Sequence, residues 1–330
     1  MTSYTPWSNP RDPEILFEIE SFNKLLENLD WPDPTKWLNH WLDRGGIDFA
    51  FPAWPPETKT DWIWGIGFPF ISDIERYMFN EDKRVLLGIS GLPGCGKTSF
   101  GKWLKAAASE LNLPLEVISM DDFYLPSPQL DKAMAGNPWK VPRGLPGSHA
   151  IGLLEETIEI WKNTGNLKSP KFDKALRNGF GDRSGWSCSS PKVVVIEGWF
   201  LGCSQAAEMS NLKGNACLND QRLTLDEKAY QVIVQNSLAD YQSIWKEFEK
   251  IWHLKSIDFN STKEWKTQQE VNLQNERGSS LRGKSLESFI RMIQVAIPKK
   301  DLQLINSDVV ALLNRSRQII WVGLNKHEPH

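Results

Sequence analysis

Cysteine is scarce in this chain: Cys95, Cys188, Cys203 and Cys217 are the four in 330 residues, and no two of them form a C-x-x-C pair. That rules out a disulfide scaffold and a thiolate zinc site, and it suits free thiols in a reducing compartment. Long apolar runs are missing too, since nothing approaches the roughly eighteen residues a membrane span needs. The first thirty residues hold no apolar stretch of signal-peptide type and carry Glu14, Glu18, Glu20 and Glu27, which sets aside a secretory signal and an Arg-rich transit peptide. Net positive charge is absent as well. Thirty-eight basic against 41 acidic residues give a formal charge of -3, so no broad basic field attracts nucleic acid or an anionic membrane, and any anion site must be local. No repeat or low-complexity tract appears. These exclusions leave a cytoplasmic, soluble protein long enough for one large α/β domain with an extension, or for two small domains.

What is present centres on the stretch Arg84 to Lys102, RVLLGISGLPGCGKTSFGK. Val85, Leu86, Leu87 and Ile89 read as a buried parallel strand, Ser90 to Gly96 break it, and Thr98 to Leu111 read as a helix. Gly91, Gly96, Lys97 and Thr98 satisfy G-x-x-x-x-G-K-[ST], the phosphate-binding loop. Glycines let backbone N–H groups turn inward around a polyphosphate, and the helix adds the positive end of its dipole. Gly94 and Ser99 complete the expected nucleotide-binding set. Lys97 is placed to reach the β- and γ-phosphates, and Thr98 offers a hydroxyl to Mg²⁺.

Residues 1 to 80 read as a separate helical extension and 81 to 330 as the nucleotide-binding domain. The extension carries seven of the 16 tryptophans: Trp7, Trp31, Trp37, Trp41, Trp54, Trp62 and Trp64. It is too aromatic for a disordered tail and is expected to bury its aromatic faces on the main domain. Asp12-Pro13 and Asp33-Pro34 each look like an N-cap followed by proline at the first helical position. Ile15, Ile19, Phe22 and Leu26 then recur at helical spacing, and Gly45-Gly46 stop the second helix.

Beyond the phosphate loop the α/β alternation continues. Leu115 to Ser119 reads as a strand and leads into Asp121, Asp122 and Tyr124. In open parallel sheets ligands bind beyond the carboxyl ends of the strands, so two adjacent acids there suit a base for a substrate hydroxyl, a metal partner, or both. Gly136 to Ser148 is a Pro- and Gly-rich loop holding Lys140 and Arg143. His149 opens a helical stretch to Asn163, with Ser148 as its N-cap. Lys171 to Arg183 reads as a charged loop. Val193 to Ile196 is the next buried strand, closed by Glu197, a carboxylate at the sheet edge where a second Mg²⁺ contact belongs. Farther on, Leu225 to Phe248 reads as one long helix, Ile251 to Leu254 as a strand, Ser261 to Arg277 and Ser285 to Ile297 as helices, and Ile319 to Val322 as a last strand.

Asp121-Asp122-Phe123-Tyr124 after the phosphate loop, with Glu197-Gly198 later, resembles the P-loop kinases of small metabolites: phosphoribulokinase, uridine kinase and pantothenate kinase. Arg143 to His149 (RGLPGSH), Lys171 to Lys174 (KFDK), Gly181 to Arg183 (GDR) and Glu197 to Trp199 (EGW) look like the D-glycerate 3-kinases among them. The resemblance covers about residues 84 to 322. It implies a P-loop parallel sheet flanked by helices, with ATP as phosphoryl donor, glycerate as acceptor and Mg²⁺ as cofactor. By the same resemblance Asp121 is the catalytic base, Thr98 and Glu197 serve the metal, and Asp122, Tyr124, Arg143, His149, Asp173, Lys174 and Arg183 belong to the substrate site. The chain departs from the family where Ala150 follows His149 in place of Asp, and where Ala175-Leu176 follow the FDK. The expected partners are therefore ATP and a small anionic substrate, with neither nucleic acid nor membrane. A kinase of another small hydroxylated metabolite and a regulatory NTP-binding module are the alternatives.

Overall fold

Every residue of Val85–Gly91, strand β1, is buried. An unbroken apolar run of this kind is what a strand covered on both faces requires, because neither side of its pleat meets water. The computed structural model describes residues 18–49, 53–55, 58, 60–78, 83–204, 223–303 and 305–329. In chain order the further strands are β2 (Leu115–Ser119), β3 (Leu167–Asp173), β4 (Asp182–Ser189), β5 (Val193–Gly198), β6 (Lys250–Ser256), β7 (Val309–Leu313) and β8 (Ile319–Leu324). Six of them form one sheet in the order β2-β5-β1-β6-β7-β8, while β3 and β4 pair apart from it. Neighbours in the larger sheet run parallel except β8, which is antiparallel to β7.

Register in the sheet sorts the side chains into two cores. Leu87 and Ile89, level with Val195 and Glu197, share a face with the helix Lys97–Glu110, whose Phe100, Trp103 and Leu104 join the same cluster. Leu86, level with Val194, points the other way, toward the helices Ile151–Thr164, Leu225–Leu238 and Gly283–Val295. The carboxyl ends of β1, β2 and β5 converge between these layers, which is where an open α/β sheet places its ligand.

The N-terminal segment covers the first face. Asp33 accepts hydrogen bonds from the Thr35 and Lys36 amides with Pro34 behind it, the cap the sequence predicts, and the helix runs over Pro34–Asp43. Gly45 follows at a φ of 109°. The helix Ile19–Asn28 buries Phe22, Leu25 and Leu26. Trp37, Trp41, Trp54, Trp62 and Trp64 all enter the core beneath the sheet. The polar ends are matched in part: Trp37 Nε1 and Trp41 Nε1 both donate to Ser72 Oγ, at 2.9 and 3.2 Å, whereas Trp54 Nε1 and Trp64 Nε1 are buried without a partner among the described residues. Asp73 is fully buried and bridges Lys250 Nζ and Arg76 Nη2, each at 3.0 Å, which fastens the helix Phe68–Met78 to the start of β6. Asp12-Pro13, Ile15, Trp7 and Cys217 lie outside the described residues.

Four local readings are corrected. Lys171 to Arg183 is not a plain loop, because its ends belong to the antiparallel pair β3 and β4. Ser148 does not cap a helix: its Oγ donates to the Leu145 carbonyl at 2.5 Å, and the helix starts at Ile151 after an uncapped Ala150. The single helix expected over Leu225 to Phe248 stops at Leu238, followed by the turn Ala239–Tyr241 and the short helix Gln242–Trp245. That break lets the buried Tyr241 side chain reach Gly147 and His149, a tertiary gain that overrides local helix propensity. Strand β7 was not anticipated, although Val309–Leu313 is buried throughout. Among the described residues no helix is long and apolar enough to cross a membrane.

Candidate active site

Strand β1 delivers its last residues into a loop that the helix Lys97–Glu110 closes. Gly94 and Gly96 adopt φ of 79° and 119°, left-handed conformations that glycine alone enters without strain. Lys97 is buried and folds back on the loop, donating from Nζ to the carbonyls of Gly91 at 2.6 Å and Leu92 at 3.1 Å. Thr98 Oγ1 donates to Glu197 Oε1 at 3.1 Å, so the predicted hydroxyl and carboxylate meet across the ends of β1 and β5. Ser99 is half-buried in the first turn of the same helix. Cys95 is fully buried within the loop.

A second cluster stands beside this one. Ser119, the last residue of β2, is level with Glu197, and the tight turn Met120–Phe123 follows it directly. Asp121 projects both oxygens into an acceptor arrangement: Oδ1 takes the Tyr124 hydroxyl at 2.8 Å and Oδ2 takes Lys174 Nζ at 2.5 Å. Burial alone would raise its pKa. The Lys174 charge and hydrogen bond outweigh that and hold the carboxyl well below the usual carboxylate range. Lys174 is raised in turn, because the attraction of Asp121, with Glu197 adding to it, exceeds the cost of burial. Asp122 serves differently. Its oxygens accept the amides of Phe172 at 3.1 Å and Ser119 at 3.4 Å, which ties the turn to β3, and burial raises its pKa.

His149 stacks on Tyr124 with ring centroids 4.5 Å apart. Its Nδ1 shares a hydrogen bond of 2.9 Å with the Tyr241 hydroxyl, which already accepts the Gly147 amide at 3.0 Å. The hydroxyl proton is thus best directed at Nδ1, leaving Nε2 as the N–H. That Nε2 is buried without a partner. Burial lowers the His149 pKa to about 4, so the ring is neutral near pH 7.

The cations expected to meet the substrate divide in two. Arg143 is 2% exposed, and its Nη1 donates to the carbonyls of Gly179 at 2.6 Å and Phe180 at 2.8 Å, holding the β3–β4 connection. Arg183 Nε donates to the Tyr124 carbonyl at 3.0 Å. Asp173 turns back on its own chain, accepting the Ala175 amide at 2.9 Å. Lys140, named in the same Pro- and Gly-rich loop as Arg143, faces solvent.

Two groups escaped the sequence reading. Lys266 and Glu270 form a buried pair at 2.6 Å on the helix Ser261–Arg277, and Lys266 Nζ lies 4.7 Å from the centre of the Phe289 ring. Burial lowers the Lys266 pKa to about 8, with Glu270 opposing and the charges of Lys174 and Arg143 assisting. Their spacing of four was visible in the sequence, but exposed helix pairs share it, so only burial distinguishes this one. Tyr241 gave no signal beyond its place in a helical pattern.

No protein-family model matches the chain. It is 27% identical over 248 residues to an uncharacterized kinase of Schizosaccharomyces pombe, a match covering 68% of this chain and 83% of that protein. A chloroplastic D-glycerate 3-kinase of Arabidopsis thaliana is 26% identical over 219 residues, covering 62% of this chain. There the match spans only 45% of the plant protein. Among solved structures, a D-glycerate 3-kinase from Cryptococcus neoformans superposes with a TM-score of 0.61 at 20% identity, covering 91% of this chain and 98% of the other. The chain therefore has the P-loop kinase fold and counts D-glycerate 3-kinase among its relatives.

Proposed function

We propose that this chain transfers the γ-phosphoryl group of ATP to a hydroxyl of D-glycerate, giving 3-phosphoglycerate and ADP. The observation that carries the reading is the Asp121–Lys174 ion pair at 2.5 Å standing beside the Thr98–Glu197 pair at one sheet edge. One pair suits an acceptor and the other suits a nucleotide. The names of the plant and fungal relatives support glycerate as that acceptor.

In this reading Asp121 is the base. A carboxylate held ionised by Lys174 is a weak base, which suffices where the transition state is loose and the hydroxyl proton leaves only as the new bond forms. Lys174, His149 Nε2 and Tyr124 are the groups placed to meet the acceptor, and a carboxylate leaving water needs such a cation. Arg183 stabilises charge on the moving phosphoryl group. Asp122, Asp173 and Arg143 hold the turns that carry these side chains. Lys97 exchanges its loop carbonyls for the β- and γ-phosphates, with Gly91, Gly94, Gly96 and Ser99 around them.

Thr98 and Glu197 fit Mg²⁺. It takes hard oxygen ligands, keeps several waters, and needs only one or two protein groups beside the nucleotide's own phosphates. Bound there, the ion neutralises phosphate charge. Residues 81–330 as the kinase unit, 1–80 as its cover and a cytoplasmic location belong to the same reading, the last supported by Cys95, Cys188 and Cys203 being free thiols. The test is ADP release with ATP and, in turn, D-glycerate, pantothenate, uridine and ribulose 5-phosphate. Turnover on D-glycerate alone is the expected result, and preference for another acceptor would replace the assignment.

A further inference from the structure

We infer that Trp62 and Arg317 are positioning residues of the nucleotide site, through which the N-terminal segment and the β7–β8 turn hold the phosphate loop in its binding shape. The inference rests on the kinase reading for the ligand, and on contacts outside the phosphate-loop motif for its content.

Trp62 is 5% exposed, and its ring lies against the loop itself. A Cβ built on Gly96 would come within 2.8 Å of Trp62 Cη2, so the ring occupies the space that any other residue at 96 would need. Its Nε1 donates to the Arg317 carbonyl at 2.6 Å. Arg317 sits in the turn between β7 and β8 at a φ of 60°, and its Nε donates to the Gly94 carbonyl at 2.8 Å. The Arg317 guanidinium lies 5.6 Å from the Trp265 ring centre. A Cβ on Gly94 would be 2.5 Å from the Trp265 carbonyl oxygen. Behind the turn, Asp61 Oδ2 accepts the Ile319 amide at 2.6 Å. Both left-handed glycines of the loop are thus touched from outside, by residues far apart in sequence.

Such bracing has a physical purpose. A loop built to cradle phosphate aims its N–H dipoles inward, and without an anion they repel one another and favour opening. A peptide unit is planar, so fixing the Gly94 carbonyl on Arg317 also fixes the plane carrying the Cys95 N–H, which turns in to the Leu92 carbonyl at 3.2 Å. A loop ordered beforehand loses less entropy when the nucleotide arrives and so binds it more tightly.

Trp54 supplies the contrast. It stacks on Phe100 and Trp103, at 6.0 and 5.3 Å between centroids, within the helix behind the loop, and meets Trp62 edge-on at 6.0 Å, a contact for which Trp54→Phe still offers a ring. Replacing Trp54 tests packing, whereas replacing Trp62 or Arg317 tests the loop.

The experiment measures ATP binding to the full chain by calorimetry with no acceptor, alongside Tm, for the parent and for Trp62→Phe, Trp62→Ala, Arg317→Lys and Trp54→Phe. Trp62→Phe keeps a ring and loses the N–H, and Arg317→Lys keeps the charge and loses the Nε donor. Both are conservative enough to report if Trp62→Ala fails to fold. Arg317→Lys and Trp62→Ala are expected to weaken ATP binding about tenfold or more, with Trp62→Phe between them and the parent. The KM for D-glycerate at saturating ATP should stay within about twofold. Trp54→Phe should lower Tm without changing ATP affinity. Parent-like ATP binding by Arg317→Lys and Trp62→Phe would overturn the inference alone, as would losses that track Tm across all variants, Trp54→Phe included. A parent that binds no ATP would overturn the kinase reading and this inference with it.

Discussion

Asp121 illustrates how a single carboxyl is tuned by its neighbours. Its burial favours the neutral form, and Lys174 at 2.5 Å, helped by the Tyr124 hydroxyl, reverses the balance. Asp121→Asn removes the proposed proton acceptor and leaves the phosphate loop untouched, so kcat should fall by about 10²- to 10⁴-fold while ATP affinity is kept. Steady-state kinetics with calorimetric ATP binding reads both. Lys174→Met makes a sharper prediction because its sign is fixed. In the parent the depressed Asp121 pKa keeps the carboxylate ionised throughout the neutral range, and the stability it contributes is lost only as pH falls through that low value. Without Lys174 the burial cost remains and the compensating charge is gone, so the pKa should rise and an acid limb in kcat/KM should move up by about one pH unit or more. A pH–rate profile checks it, and an unmoved limb would show that Lys174 does not set the Asp121 ionisation. His149 should contribute no limb near its usual pKa, since burial has lowered it to about 4.

Among elements, the connection between β3 and β4 carries more of the site than its sequence suggested. Arg143 supports it through two carbonyls, Gly179 and Phe180. Arg143→Lys keeps the charge but moves the donor that Nη1 offers to both carbonyls, so it should leave a carbonyl unpaired and cost about 1–3 kcal/mol of stability in denaturant unfolding, with a raised KM for glycerate. Loss of glycerate affinity at unchanged stability would instead make Arg143 a direct carboxylate contact. Legibility followed burial. β1 and β5 announce themselves by short apolar runs, residues 85–89 and 193–196, buried on both faces. β3 and β4 did not, since β4 keeps a largely exposed, polar run from Asp182 to Ser189 that looks like a solvated loop until its partner is known. The break after Leu238 was hidden as well, because it follows from what Tyr241 touches rather than from any breaker residue. Of the candidate site, the phosphate loop could be read from spacing and the acids at 121, 122 and 197 from strand ends, while only the family resemblance singled out Asp121. Lys266 could not, as its pairing with Glu270 becomes unusual only once both are buried.

Across the whole molecule, the Trp-rich N-terminal helices complete one face of the sheet, and Asp73 is their polar anchor in it. Asp73→Ala would leave Lys250 buried without its carboxylate and Arg76 with only that of the exposed Asp30, at 3.8 Å. It should therefore lower stability by about 3–5 kcal/mol, read from the urea midpoint, while kcat at low temperature stays near the parent value. A change below about 1 kcal/mol would mean the segment is not fastened there. In the proposed function one sheet edge brings ATP and a small carboxylic acid together through the loop at 91–98, Asp121 and Lys174. The most direct test of that reading is ³¹P NMR of the parent protein with ATP, Mg²⁺ and D-glycerate. Loss of the γ-phosphate signal matched by ADP and a 3-phosphoglycerate resonance is expected, both abolished in Asp121→Asn. Phosphate release without a phosphorylated glycerate, or product formation undiminished in Asp121→Asn, would contradict it.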